Sequence, residues 1–245
     1  MHSTLNRVQA VFGFFTTVAF AVAAVIAASV LICPQAPSAK LELRNVQVVK
    51  GRPHYYSTKR EEYAHVKFDL DADLSSLFNW NTKQVFVYIT ASYPSSSPGK
   101  VPDSEAIVWD AIIPSNLAPW HQNTYIHPIS KKVKTKTKAK KKAGKAYPAG
   151  TEPGIIRLSE QKPKYQITDY SGKMAERSNA TLTLHWNIQP WVGALVWTNK
   201  GTVGRWTGLE GGEAHFDFPA LKGGEVKKED LKTEKGGERN RGMPA

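Results

Sequence analysis

A mainly β fold, an antiparallel β-sandwich behind a single N-terminal transmembrane α-helix, is what this 245-residue sequence predicts. Three observations carry that expectation. Residues 11–32 (VFGFFTTVAFAVAAVIAASVLI) form an unbroken apolar run without charge, and nothing comparable follows it. The rest of the chain holds short stretches in which apolar and polar residues alternate, the period of a strand with one buried face. Turn-forming residues separate those stretches, and no long helical period appears among them.

The chain opens with a short polar segment, residues 1–10, carrying Arg7. The apolar run comes next. At about 1.5 Å per residue it reaches roughly 33 Å, enough to cross a bilayer core. A cleaved signal peptide has a shorter apolar stretch, about 7–15 residues, and then a small-x-small site. Here Cys33-Pro34-Gln35-Ala36-Pro37-Ser38-Ala39 follows. Cleavage after Ala36 or Ala39 would set Pro34 or Pro37 where a small residue belongs. A retained anchor is therefore expected. Ala19, Ala23 and Ala27 lie four apart on one helical face, where small residues permit close helix approach. An alanine-rich span without a helix partner reads equally well. Cys33 is the only cysteine, so no intrachain disulfide is possible, and a reduced thiol is the simplest reading. Flanking charge (Arg7 against Lys40 and Arg44) does not set the orientation.

The net charge of +12 is concentrated. Residues 131–145 (KKVKTKTKAKKKAGK) carry nine lysines and no acid, and 12 − 9 leaves the remainder near +3. Such a run cannot bury a core, so 131–150 reads as a disordered loop. Its alternative, binding nucleic acid or anionic lipid, is disfavoured because the run has neither aromatic residues to stack on bases nor arginine. The tail, 222–245, is Gly-rich, charged and aperiodic, and reads as disordered. One domain, 41–221, remains, interrupted by the lysine loop.

Within it Val66, Phe68 and Leu70 alternate with Lys67 and Asp69, as in a half-buried strand. Residues 84–93 (QVFVYITASY) are β-branched and aromatic with apolar side chains on both faces, which predicts a central strand covered on both sides. Residues 106–113 (AIVWDAII) are similar and close at Pro114. Leu182, Leu184, Trp186 and Ile188 point one way, and Thr181, Thr183, His185 and Asn187 the other. Ala214, Phe216 and Phe218 repeat the pattern.

Several of these blocks resemble a known family. Asp73, Leu74, Leu77, Phe78, Trp80, Asn81, Lys83, Gln84, Phe86 and Tyr88 form the first block, and Val108, Trp109 and Asp110 the second. Asn179, Thr181, Leu182, Leu184, Trp186, Asn187 and Pro190 form the third. In this order, behind one short anchor, they resemble subunit 3 of the eukaryotic signal peptidase complex, the 22/23 kDa subunits, with a fungal cast. The resemblance covers roughly 1–129 and 154–221, and the lysine loop and tail look like additions to it. It implies a type II single-pass protein of the endoplasmic reticulum membrane with a cytosolic N-terminus and a lumenal sandwich. It implies as partners the catalytic serine protease subunit, the other subunits of the complex and the bilayer. It also implies an accessory, non-catalytic role in removing signal peptides, with no cofactor and no nucleic acid.

The residues agree with a chain that has no catalytic centre of its own. No G-x-S-x-G or S-x-x-K motif is present, and no H-E-x-x-H or C-x-x-C spacing suggests a metal. His65, His185 and His215 alternate out of apolar strands, so solvent-facing positions are expected. His121 and His127 lie in a Pro-containing loop. Asn179-Ala180-Thr181 is the only N-x-Ser/Thr site, an acceptor for glycosylation if the body is lumenal. The candidate interface is the segment 77–84 (LFNWNTKQ), with Phe78, Asn79, Trp80, Asn81 and Gln84 interleaving aromatics and amides. The competing reading makes Phe78 and Trp80 core plugs and the amides a turn. A functional rival is a membrane-tethered lectin- or chaperone-like sandwich, with Trp191, Trp197 and Trp206 as a glycan shelf.

Overall fold

The computed structural model describes residues 3–53, 55–95, 101–116, 118, 152–198 and 201–222. The lysine stretch 131–145, His121, His127 and all but the first residue of the tail lie outside them. The apolar run forms α1, Thr4–Ser29, prolonged by a 3-10 turn over Val30–Ile32. It is long and apolar enough to cross a membrane, and none of its side chains is buried against the rest of the chain. The helix starts earlier than Val11 because no breaker stands between Thr4 and Ala10. It stops before Pro34, whose ring disfavours helical geometry at Cys33, and Cys33 is extended (φ −72°, ψ 124°).

Among the described residues nine strands follow: β1 (Ser38–Gly51), β2 (Glu61–Asp73), β3 (Thr82–Tyr93), β4 (Ser104–Pro114), β5 (Ile155–Gln161), β6 (Ala180–Pro190), β7 (Val196–Trp197), β8 (Glu210–Gly211) and β9 (Glu213–Phe216). They make two sheets. One runs β5-β2-β1-β8, the other β4-β3-β6-β7 with β9 also on β6. All pairings are antiparallel except the short contact of β1 with β8. The predicted sandwich is thus the observed one. Its core joins Val48, Val66, Phe68 and Leu70 of the first sheet to Val87, Ile89, Trp109 and Leu184 of the second, all buried. Phe68 and Trp109 meet edge to face at 6.1 Å.

Two bulges explain what alternation alone does not. Arg44 is an extra residue in β1, because pairing shifts between Leu43 and Asn45. Leu41, Leu43, Val46 and Val48 therefore change parity yet pair with the inward-facing side of β2, at Leu70, Phe68, Val66 and Ala64. Val108 is likewise extra in β4, because Ile89 pairs with Trp109 and Thr90 with Ile107. That lets the adjacent Val108 and Trp109 both be buried.

One expectation is corrected. β3 is central within its sheet, between β4 and β6, but only one of its faces is covered by the other sheet. Val85, Val87, Ile89 and Ala91 are buried, whereas Phe86 and Tyr88 point outward and are half-buried. A two-layer sandwich leaves each sheet one open face, and here that face is aromatic.

Candidate partner-docking face

The outer face of the second sheet is built row by row from cross-strand neighbours. In one row Ile112 of β4 lies opposite Phe86 of β3, Phe86 opposite Asn187 of β6, and Asn187 opposite Trp197 of β7. In the next, Asp110 lies opposite Tyr88, and Tyr88 opposite His185. Phe86 stacks on Tyr88 and Tyr88 on His185, each pair at 5.3 Å with rings within 25° of parallel. Exposed apolar side chains flank the stack: Ile107 (44%), Ile112 (50%), Tyr165 (48%) and Trp197 (59%). Contiguous apolar surface of this kind marks an interaction site rather than an ordinary solvated face.

Polar groups at the face are arranged as well as apolar ones. Lys164 Nζ donates to Asp110 Oδ1 at 3.0 Å and lies 5.7 Å from the Trp109 ring centroid. Burial, and then the Glu105 carboxylate, push the Tyr88 phenol above its usual range, so it remains a neutral hydrogen-bond donor. Asn187 is 3% exposed and its Nδ2 has no hydrogen-bond partner. A buried donor left unmet among aromatics costs free energy.

The five residues of the candidate interface divide between two jobs. Asn79 and Asn81 build the turn into β3: Asn79 Oδ1 accepts from Asn81 N–H at 2.9 Å, and Asn79 N–H donates to Thr82 Oγ1 at 3.1 Å. Asn81 is buried and clamps the loop after β6. Its Nδ2 donates to Val192 O at 2.7 Å, its Oδ1 accepts from Val192 N–H at 3.1 Å, and its carbonyl accepts from Trp191 N–H at 2.8 Å. Phe78 is half-buried and packs on the core. Trp80 is exposed, and Gln84 reaches the outer face, donating through Nε2 to Gln189 Oε1 at 2.6 Å. Gln84 thus adjoins the aromatic stack, in register next to Phe86. In the sequence Phe86, Tyr88 and Asn187 stood out only as members of the family blocks and Trp197 only as part of a glycan shelf, while Ile107, Ile112 and Tyr165 were not singled out. The available signal was aromatic residues at the outward positions of β3, which also fits a strand covered on both sides.

His185 belongs to the stack, with Nε2 3.9 Å from Glu105. His65 is half-buried and His215 exposed, with His215 Nδ1 2.9 Å from Thr181 Oγ1. Among the described residues no group of three His, Cys, Asp or Glu is placed to hold a metal. Of the three tryptophans considered as a shelf, Trp191 and Trp197 are exposed. Trp206 is instead tucked in, its Nε1 donating to Cys33 O at 3.1 Å. Asn179 is exposed, with φ of 60°, its N–H donating to Asp217 Oδ1 at 2.8 Å. It precedes the first residue of β6, while the helix end faces the last. Eleven residues of strand at about 3.3 Å each separate the two by roughly 35 Å.

Residues 1–137 and 149–206 match a family described as signal peptidase subunit. A protein named signal peptidase complex subunit 3 from Yarrowia lipolytica is 31% identical over 217 residues, 83% of this chain and 97% of that one. Its namesake from Saccharomyces cerevisiae is 35% identical over 149 residues, 61% of this chain and 59% of that one. That of Gallus gallus is 28% identical over 156 residues, 64% and 63% of the two chains.

Proposed function

Because the chain belongs to the signal peptidase subunit family, we propose that it is a non-catalytic subunit that positions the serine protease subunit of its complex. In this reading the helix is a type II anchor in the endoplasmic reticulum membrane, and the sandwich stands in the lumen. The outer face of the second sheet docks the protease subunit. Phe86, Tyr88, Ile112 and Trp197 supply the apolar centre, and Gln84 and Trp80 lie at its edge. The observation that carries this reading is the aromatic, partly exposed outer face. Holding a protease at a fixed height above the membrane matters because misplacement by about 1 Å can cost on the order of 10²-fold in rate.

The test is co-purification in mild detergent. The wild-type chain should bring down a serine protease subunit. Ile112→Arg, at an exposed position, should leave folding within about 0.5 kcal/mol and abolish recovery of that subunit. Undiminished recovery with Ile112→Arg and Trp197→Arg together would overturn the docking face. Isolation of the chain without any serine protease would overturn the function itself.

A further inference from the structure

The end of the anchor and the base of the sandwich enclose an apolar cavity of about 310 Å³. Ala27, Ala28 and Leu31 line it on the helix side, and Ile188, Val192 and Val196 on the sandwich side. Small residues let the two approach closely: a Cβ on Gly193 would stand 3.0 Å from that of Ala27. One donor there is unmet. Gln35 lines the cavity, is 4% exposed, and its Nε2 has no hydrogen-bond partner. Its backbone is firmly held, N–H donating to Arg205 O at 3.1 Å and carbonyl accepting from Thr207 N–H at 2.8 Å. These bonds hold the backbone at the cavity edge and leave the side-chain torsions free, so a rotation of the amide turns Nε2 toward the cavity.

Depth identifies the occupant. Residues 11–32 match a hydrocarbon core in length, which sets Gln35 just beyond its edge, at the level of lipid ester carbonyls. Nearby loops carry what membrane proteins place at that level. Trp191 and Leu195, in the loop after β6, and Val203, beyond β7, are exposed. Lys83 Nζ lies 5.5 Å from the Trp191 ring centroid, and Arg205 Nη1 donates to Ile32 O at 2.9 Å. Apolar walls below, an amide donor at the edge and cations above match the order of groups in a glycerophospholipid.

We propose that this cavity is a glycerophospholipid site. The root of one acyl chain fills the space between α1 and the loop after β6, and Gln35 Nε2 donates to an ester carbonyl. Lys83 and Arg205 supply positive charge at headgroup depth. The lipid is already the solvent of the adjoining helix, so the site recruits a neighbour from the bilayer. The inference rests on α1 crossing the membrane and is independent of the docking face.

The test uses the full chain within its complex, in nanodiscs containing phosphatidylcholine with a diazirine in its acyl chain. After photolysis, labelled peptides should include 188–197 as well as the exposed helix. Ala28→Phe, which fills the cavity, should remove the 188–197 label. Gln35→Leu, which keeps the packing and deletes the donor, should lower it about tenfold. Val22→Phe, on the exposed surface of α1, should change nothing. Label confined to residues 4–26, or unaltered by both cavity variants, would mean ordinary annular lipid and overturn the site. A photo-crosslinker at Ala28 that captures another subunit instead of lipid would overturn it too, because the cavity would then hold protein. Recovery of the complex with each variant reports folding, and if Gln35→Leu fails to assemble, Ala28→Phe decides.

Discussion

Asn81 uses both ends of its amide on a single backbone segment, and that segment positions both Trp191 and the cavity wall at Val192. Asn81→Ala removes two part-buried hydrogen bonds to the Val192 backbone and should cost about 1–3 kcal/mol, at roughly 0.5–1.5 for each. Thermal unfolding of the full chain in detergent measures it. Asp169 plays a comparable part at the far end of the sandwich. Arg177 Nη2 donates to its Oδ2 at 2.6 Å, and Ser171 N–H donates to the same oxygen at 2.9 Å. Burial alone would raise the pKa of this carboxyl, but Arg177 and the two Ser171 donors outweigh burial and hold it below the usual carboxylate range. The unfolded chain therefore takes up the proton first as pH falls. The stabilisation is complete above about pH 4, the ordinary carboxylate value, and is lost as pH drops through the lower native value. Asp169→Asn should reduce stability at neutral pH and flatten the acid limb of a plot of unfolding midpoint against pH. An unchanged acid slope would assign that limb to other carboxylates, such as Asp69, which Arg44 and then the Glu160 N–H also hold low. Asn179→Gln should remove a glycan from the mature protein, seen as a mobility shift, if the sandwich is lumenal.

At the scale of the element, alternation made β2, β6 and β9 legible, because each keeps one parity from end to end. β1 was not read as a strand, because the Arg44 bulge switches its apolar residues from odd to even positions midway. β5 was missed for a different reason: only Ile155 and Ile156 are buried, and apart from the half-buried Leu158 the remainder is polar and largely exposed. The segment 77–84 was recognised as special, but its amides could not be apportioned from sequence. Asn81 binds a backbone more than a hundred residues away, a contact that only the pairing of β3 with β6 creates. The candidate docking face was hidden by the same ambiguity that made β3 look doubly covered, since a partner and a second layer would both call for outward apolar residues. One closure was also invisible. Gly154 enters β5 with φ of 96°, and a Cβ there would lie 2.8 Å from the Leu74 carbonyl, whose own N–H donates to Gly154 O at 3.0 Å. Gly154→Ala should cost about 2–3 kcal/mol, combining backbone strain with that obstruction. A chemical-denaturation midpoint unchanged by Gly154→Ala would show that this entry into β5 relaxes freely.

For the whole molecule, the arrangement of the two ends of the sandwich matters most. β4 finishes and β5 starts at the end nearest the helix, and Asn116 and Glu152 line one shallow cleft there. The residues that flank 117–151 thus stand close together, and the family match breaks off within that stretch, at 138–148. Excising 131–145 should leave assembly intact and, by loop-closure entropy, raise stability by no more than about 0.5 kcal/mol. A loss of the complex on excision would give those lysines a role. The same end of the sandwich decides the fate of the anchor. A protease needs an extended, accessible segment, and the two bonds that signal cleavage would use follow Ala36 and Ala39. Both lie in bound chain. Gln35 and Pro37 are buried, Ala36 N–H donates to Ser76 Oγ at 3.1 Å, and Pro37 O accepts from Glu210 N–H at 3.2 Å. Ala39 is paired within β1, opposite Ala72 on one side and Gly211 on the other. Cleavage at either bond would require the base of the sandwich to open, so Pro34 and Pro37 are reinforced by structure that a nascent signal peptide does not have. The intact mass of the mature protein should therefore include residues 1–32, and a mass beginning at Pro37 or Lys40 would refute the retained anchor.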